Sequence, residues 1–311
     1  MKNLNEIEFL ANDFEFVGDG QDIHKEKALE VTSFWKDFFN RLLKNKGAVC
    51  GGIMILIIAL IAIIAPMFSP YQYDLVDSAN QSLPMSMEHL FGTDRFGRDL
   101  FLRVWLGTRI SLFVAFSAVA IDIVFGMVYG IVSGYFGGKV DVVMQRIQEI
   151  ISSIPALVIL TLLLIVMDAS IFTIIVALMI TGWVGMSRIA RAQVLKIKEE
   201  EFVLASKTFG ASSFFIIFKN ILPNIFGQLI IVSMFSIPNA IFYEAFLAFV
   251  GLGVPAPEAS LGSLINDGFA SILVYPYMVI IPVVVLGILM LSFNLFADGL
   301  RDAFDPTMKE M

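Results

Sequence analysis

The sequence predicts an all-α protein that crosses a membrane six times. Apolar residues make up 58% of its 311 residues and charged ones 16%, a balance that a soluble domain of this length does not tolerate. Long uncharged stretches run from Gly47 to Tyr73, Ile110 to Ile121, Ile123 to Gly138, Ile150 to Met167, Ala169 to Ser187, Asn220 to Tyr243 and Gly268 to Ala297. A helical span needs ~20 mostly apolar residues to cross ~30 Å of hydrocarbon. Joining the two pieces around Asp122 gives spans near 48–66, 110–134, 147–167, 171–187, 225–249 and 277–297.

Residues 1–47 are polar, and their early part is mostly acidic, whereas a cleavable signal peptide has a basic start and a short apolar core. They read as a cytoplasmic tail. From Thr32 to Lys46 the chain turns basic and aromatic, which suits a helix lying on the membrane surface. The single Cys50, at the start of the first span, allows no internal disulfide and reads as packing. Residues 48–109 comprise the first span and an outer loop. In that loop Gly92-Thr93-Asp94 and Gly97 are turn formers, and an amphipathic helix is expected to start near Asp99. Asp94 and Asp99 are available to neutralise two of its arginines. The helix is expected to place Arg103 and Arg109 at the headgroups while Leu100, Leu102 and Trp105 dip inward.

From span two to just beyond its end, Gly126, Gly130, Gly134 and Gly138 recur every fourth residue, a stripe that lets another helix approach closely. Asp122 is an ionisable group about midway through the same span. Burying it in hydrocarbon costs roughly 2.5–3.5 kcal/mol on insertion scales, so it is expected to face a polar cavity or a partner, whether as a lining of a pathway or in a structural pair. Glu244 lies nearer the outer end of span five.

Between spans four and five stands a polar interlude, Glu199–Asn224. Phe202, Ala205, Ser206 and Phe209 fall at i, i+3, i+4 and i+7, one face of a helix. Gly210 sits where that helix ends. Ser212 or Ser213 is placed to cap a second helix, which is expected to stop or kink near Pro223. With the N-terminus inside, fourteen Lys and Arg near the spans lie inside and four outside, which obeys the positive-inside tendency and puts this interlude in the cytosol.

Chemistry is hard to find. Gly138-Lys139 tempts a phosphate-loop reading, but Ser133 and Val140 break the G-x-x-x-x-G-K-[ST] spacing. His24 and His89 sit far apart and form no metal set with Cys50. No catalytic or metal-binding residue is assigned, and the net charge of −7 suggests no nucleic-acid partner.

Ala205, Gly210 and Leu222-Pro223 at these spacings resemble the coupling loop of ATP-binding-cassette importer permeases. Leu204 stands where that family commonly has Glu, Ser206 where it has a second Ala, and Asn220 where it has Ile. His89–Leu112, Tyr243-Glu244-Ala245 through Gly253, and Ala297–Pro306 resemble segments of dipeptide and oligopeptide permeases, specifically the second, C-type, subunit. The resemblance covers most of residues 89–306. It implies the type I importer permease fold over 110–298, with a coupling loop at 199–224 and a cytoplasmic tail at 299–311. It implies a homologous permease partner, two cytosolic ATPases that carry ATP and Mg, and an extracytoplasmic peptide-binding protein. A prokaryotic plasma membrane with both termini in the cytoplasm follows, with lipid around the spans. No cofactor is expected on this chain. Relatives of the subfamily are associated with di- and oligopeptides, signalling peptides, nickel complexes and some sugars. The rival reading, a transporter driven by an ion gradient, needs discontinuous spans and a mid-membrane ion site, for which Asp122 alone is a candidate. A non-transporting membrane scaffold or sensor is a third reading, for which the short loops leave little room.

Overall fold

The computed structural model describes residues 34–168 and 170–304, so the acidic part of the N-terminal tail and the last residues of the C-terminal one lie outside it. Among the described residues there is no strand, only an isolated bridge between Thr93 and Asp99. The helices are α1 (Phe34–Lys44), α2 (Lys46–Phe68), α3 (Leu100–Phe136), α4 (Gly138–Ser153), α5 (Ala156–Val166), α6 (Ile171–Ile197), α7 (Glu201–Thr208), α8 (Ser213–Leu252), α9 (Leu261–Phe269) and α10 (Tyr277–Phe304). Five of them, α2, α3, α6, α8 and α10, are long and apolar enough to cross a membrane by themselves.

Span three departs from expectation. The stretch expected as one helix is broken between α4 and α5 by a 78° bend. Pro155 is the cause. It disfavours the helical conformation at the residue before it, and Ile154 is accordingly extended (φ −96°, ψ 128°). The 11 residues of α5 span only about 16 Å, so α4 and α5 are long and apolar enough to cross a membrane only when taken together as a bent pair.

The outer helix also differs. Asp99 caps it as its position suggests, its Oδ1 accepting from the Leu102 amide at 2.7 Å. The helix then runs without interruption through span two, giving a rod of 37 residues. Its first turns pack against protein: Leu100, Leu102 and Trp105 are buried, the first and last of these in a core shared with α2, α8, α9 and α10. Arg103 is not at the headgroups. It is buried, donates to the Tyr73 carbonyl at 3.2 Å, and lies 3.5 Å from Asp94 and 3.8 Å from Asp267. Arg109 is exposed. Asp94 takes Arg98 Nε at 2.7 Å, while Asp99 faces His89 Nδ1 at 2.9 Å rather than an arginine. The outer loop is thus pinned to α9 by charge, and Tyr277 at the start of α10 donates to the Leu83 carbonyl at 2.8 Å.

The most extensive helix pair is α3 with α6. A Cβ built on Gly126 would lie 2.7 Å from the Trp183 carbonyl oxygen, and one on Gly134 3.0 Å from that of Arg191. Gly130 between them is tighter still against the Ser187 carbonyl. Backbone meets backbone along three turns, where dispersion and polar contacts replace the hydrophobic force that lipid does not supply. On the opposite flank α2 leaves Ile53, Leu56, Ile57, Leu60 and Ile64 exposed, an apolar face suited to lipid. At the end carrying α7, helix α1 packs on the last turns of α10 through Phe38, Leu300 and Ala303.

Candidate functional site

Two places bring the sequence-derived candidates together. The first is the hairpin formed by α7 and the start of α8. Gly210 takes φ +76°, and its amide and that of Ala211 reach back to the Lys207 and Ser206 carbonyls, each at 3.0 Å. This is a Schellman closure of α7, which satisfies carbonyls that the helix end leaves open. Ser212 is the capping residue of the second arm, its Oγ accepting from the Phe215 amide at 3.3 Å. Asn220 donates to Ser206 Oγ at 2.7 Å and so braces one arm on the other. Ser206 and Asn220 are both positions where the sequence departs from the coupling loop it resembles, and here they meet.

The second arm does not stop at Pro223. Residues Ile216–Ile221 widen into a π-helical segment, and Leu222 and Pro223 open the regular helix that continues into the membrane. A proline lacks the amide that a regular helix would need there, and the wider turn lets the chain pass without a break. The second arm of the hairpin and span five are therefore one 40-residue element, Ser213–Leu252.

The hairpin is rooted on one side and bare on the other. Val203, Ile216, Ile221 and Ile225 are buried against Ile131 of α3 and Ala190 and Val194 of α6. On the opposite side Phe202 and Ala205 are exposed, Ser206 is half-exposed, and Phe209 is 90% exposed. Sequence reasoning missed Phe214, which is 70% exposed and pairs with Phe218 at 4.3 Å between ring centroids. Their i, i+4 spacing was the available signal. It also missed the ties beneath the hairpin: Arg191 grips Asp141 with two hydrogen bonds of 2.6 Å, and Lys198 Nζ donates to the Gly134 carbonyl at 3.1 Å. Residues 50 and 64 apart in sequence form these contacts, so no local pattern announces them.

The second place is a cavity of about 210 Å³ between α3, the start of α5, α6 and α8, lined by Asp122, Thr181, Gly182, Ser236, Asn239 and Tyr243 among others. Asp122 is 7% exposed and its Oδ1 has no hydrogen-bond partner. Glu244 is not part of it. Fully buried, Glu244 accepts from Ser111 Oγ at 2.7 Å, and Ser111 in turn accepts from the Leu261 amide at 3.3 Å. It joins α3 and α8 to the first turn of α9. Among the described residues no group of three or more His, Cys, Asp or Glu is placed to hold a metal.

Comparison with known proteins gives this architecture a lineage. Residues 126–310 match the family described as binding-protein-dependent transport system inner membrane component, and residues 33–85 match the N-terminal TM domain of oligopeptide transport permease C. The chain is 44% identical over 293 residues to the oligopeptide transport system permease protein OppC of Bacillus subtilis, covering 94% of this chain and 95% of that one. It is 47% identical over 278 residues to the dipeptide transport system permease protein DppC of the same organism, covering 89% and 87%. Among solved structures, an inward-facing MetNI methionine ABC transporter chain superposes with a TM-score of 0.55 at 19% identity, covering 65% of this chain and 97% of that one, which supports the fold. The matches at both ends of the chain, the all-helical fold and the near-full-length likeness agree: this protein is a membrane-spanning permease subunit of the ABC importer family, of the C type found in dipeptide and oligopeptide systems.

Proposed function

We propose that this chain forms half of the translocation pathway of an ATP-driven importer of dipeptides or oligopeptides. It works with a homologous permease, two cytosolic ATPases that bind ATP and Mg, and an extracytoplasmic peptide-binding protein. The observation that carries the coupling is the hairpin, apolar and bare on its outer side yet continuous with a membrane span. Phe202, Ala205 and Phe209 offer a docking face, with small Ala205 leaving room for a partner's side chains. A push on that face has a route inward, across the Asn220–Ser206 bond to α8 and through Val203 and Ile216 onto α3 and α6. The basic side of the chain, which includes the hairpin, faces the cytosol in this reading. The relatives named as dipeptide and oligopeptide permeases support the cargo class.

The test is Ala205→Asp in the full complex, purified and reconstituted. A charge at the centre of the docking face is expected to lower ATPase retention and ATP-driven peptide uptake together, with the spans still inserted. Retained ATPase and normal uptake would remove the hairpin as the handle. Uptake that survives ATP depletion and collapses with an ion gradient would favour a secondary transporter instead.

A further inference from the structure

The Asp122 cavity has the makings of a site for a small cation. Asp122 as a residue is more than nine-tenths buried, and its Oδ1 is buried with no partner in the fold. Gly182 opposite leaves it room: a Cβ there would overlap Oδ2, so any other residue would force the carboxylate to shift. Asp122 is the only charged residue among those lining the cavity, and hydroxyl or amide side chains of Thr181, Ser236, Asn239 and Tyr243 complete the wall. The volume, about 210 Å³, is several times the ~30 Å³ share of one water molecule. An ionised group held at mid-membrane is costly unless it is paired. No Lys or Arg is among the residues lining the cavity.

We infer that this cavity is a transit subsite for a primary ammonium group, the protonated amino terminus of a peptide passing through the permease. The inference rests on the peptide-import reading for its choice of cation. The carboxylate accepts the ammonium's hydrogen bonds, Ser236, Thr181 and Asn239 offer further oxygens, and the neutral backbone that follows occupies the rest of the space. A bare alkali ion would use the same carboxylate, so the experiment separates the two sources.

The experiment labels the complete membrane complex in nanodiscs, without the binding protein, using a hydrophobic carbodiimide, and quantifies modification of Asp122 by mass spectrometry. Trialanine is expected to slow labelling of Asp122 several-fold. N-acetyl-trialanine and sodium chloride, against a choline chloride control, are expected to leave it unchanged. In reconstituted uptake, Asp122→Asn is expected to lower trialanine transport roughly tenfold, the scale of a lost hydrogen bond to a charged group, while Asp122→Glu keeps most of it and Gly182→Ala behaves like Asp122→Asn. Equal protection by the acetylated peptide, protection by sodium alone, or no labelling of Asp122 in the ligand-free complex would each overturn the inference. Labelling and protection are read without transport, so failure of ATP-driven import in the unmodified complex is a separate result.

Discussion

At Gly130 the backbone of α3 lies directly on the Ser187 carbonyl and 2.7 Å, by way of a would-be Cβ, from the Ala190 methyl. Neither neighbour is the flexible end of a side chain. Gly130→Val is therefore expected to push α3 and α6 apart and to destabilise the permease by at least about 1–3 kcal/mol. A lowered melting temperature of the purified complex, or lost expression in the membrane, is the measurement. Gly287 supplies the contrast, because nothing lies within 4 Å of where its Cβ would stand. Gly287→Ala is expected to leave the melting temperature unchanged or slightly raised. The glycine stripe was legible as a four-residue repeat through Gly134, but Gly138 falls beyond the end of α3 and meets no helix. Which helix the stripe faces was not legible, because spacing on one element names no partner.

The hairpin shows what one element reveals about itself. A helix that ends at Gly210 and restarts after a serine is a local matter, set by the left-handed backbone and a side-chain cap, and the sequence carried both. Replacing Gly210 by Ala places a Cβ at φ +76° and is expected to cost roughly 1–2 kcal/mol, loosening the turn and reducing ATPase retention by the complex in a pull-down. Retention equal to the unmodified complex would mean that the turn's shape is not what the partner reads. Of the two outcomes expected at Pro223, the stop does not occur, and the irregularity takes the form of a π segment just before it. Proline forbids a regular interior turn, but a wider π segment ahead of it removes the conflict, and nothing in the residue string distinguishes the two outcomes. Pro155 went the other way. The hydrophobic run across it is unbroken, so hydropathy joins what the proline separates, and the resulting bend sets Ala156 in the wall of the Asp122 cavity.

At the scale of the molecule, charge is used to tie the outer loop down. Arg98 and Arg103 share Asp94 and approach Asp267 across a separation of more than 160 residues. Arg103 is buried, and removing it takes away its bond to the Tyr73 carbonyl and its approaches to Asp94 and Asp267, while Arg98 still pairs with Asp94. Arg103→Ala is expected to release the segment 70–99, read as faster proteolysis of that loop in right-side-out vesicles. Cleavage at the unmodified rate would show that the hydrogen bonds of Tyr277 suffice to hold it.

The chain's composition by itself determined that it lives in a membrane as a helical bundle, because burying this much apolar surface in water-free surroundings leaves the backbone no alternative to internal hydrogen bonds. Local chemistry likewise determined the cap at Asp99 and the turn at Gly210, since those depend on a few adjacent residues. Only the tertiary structure decided that Arg103 turns inward, that Asp122 faces a cavity without a counter-charge, and that Glu244 is spent on Ser111. Each of these depends on which distant side chains arrive at the same point, and in a membrane that arrival is governed by close backbone packing, for which hydrophobic patterning carries no address.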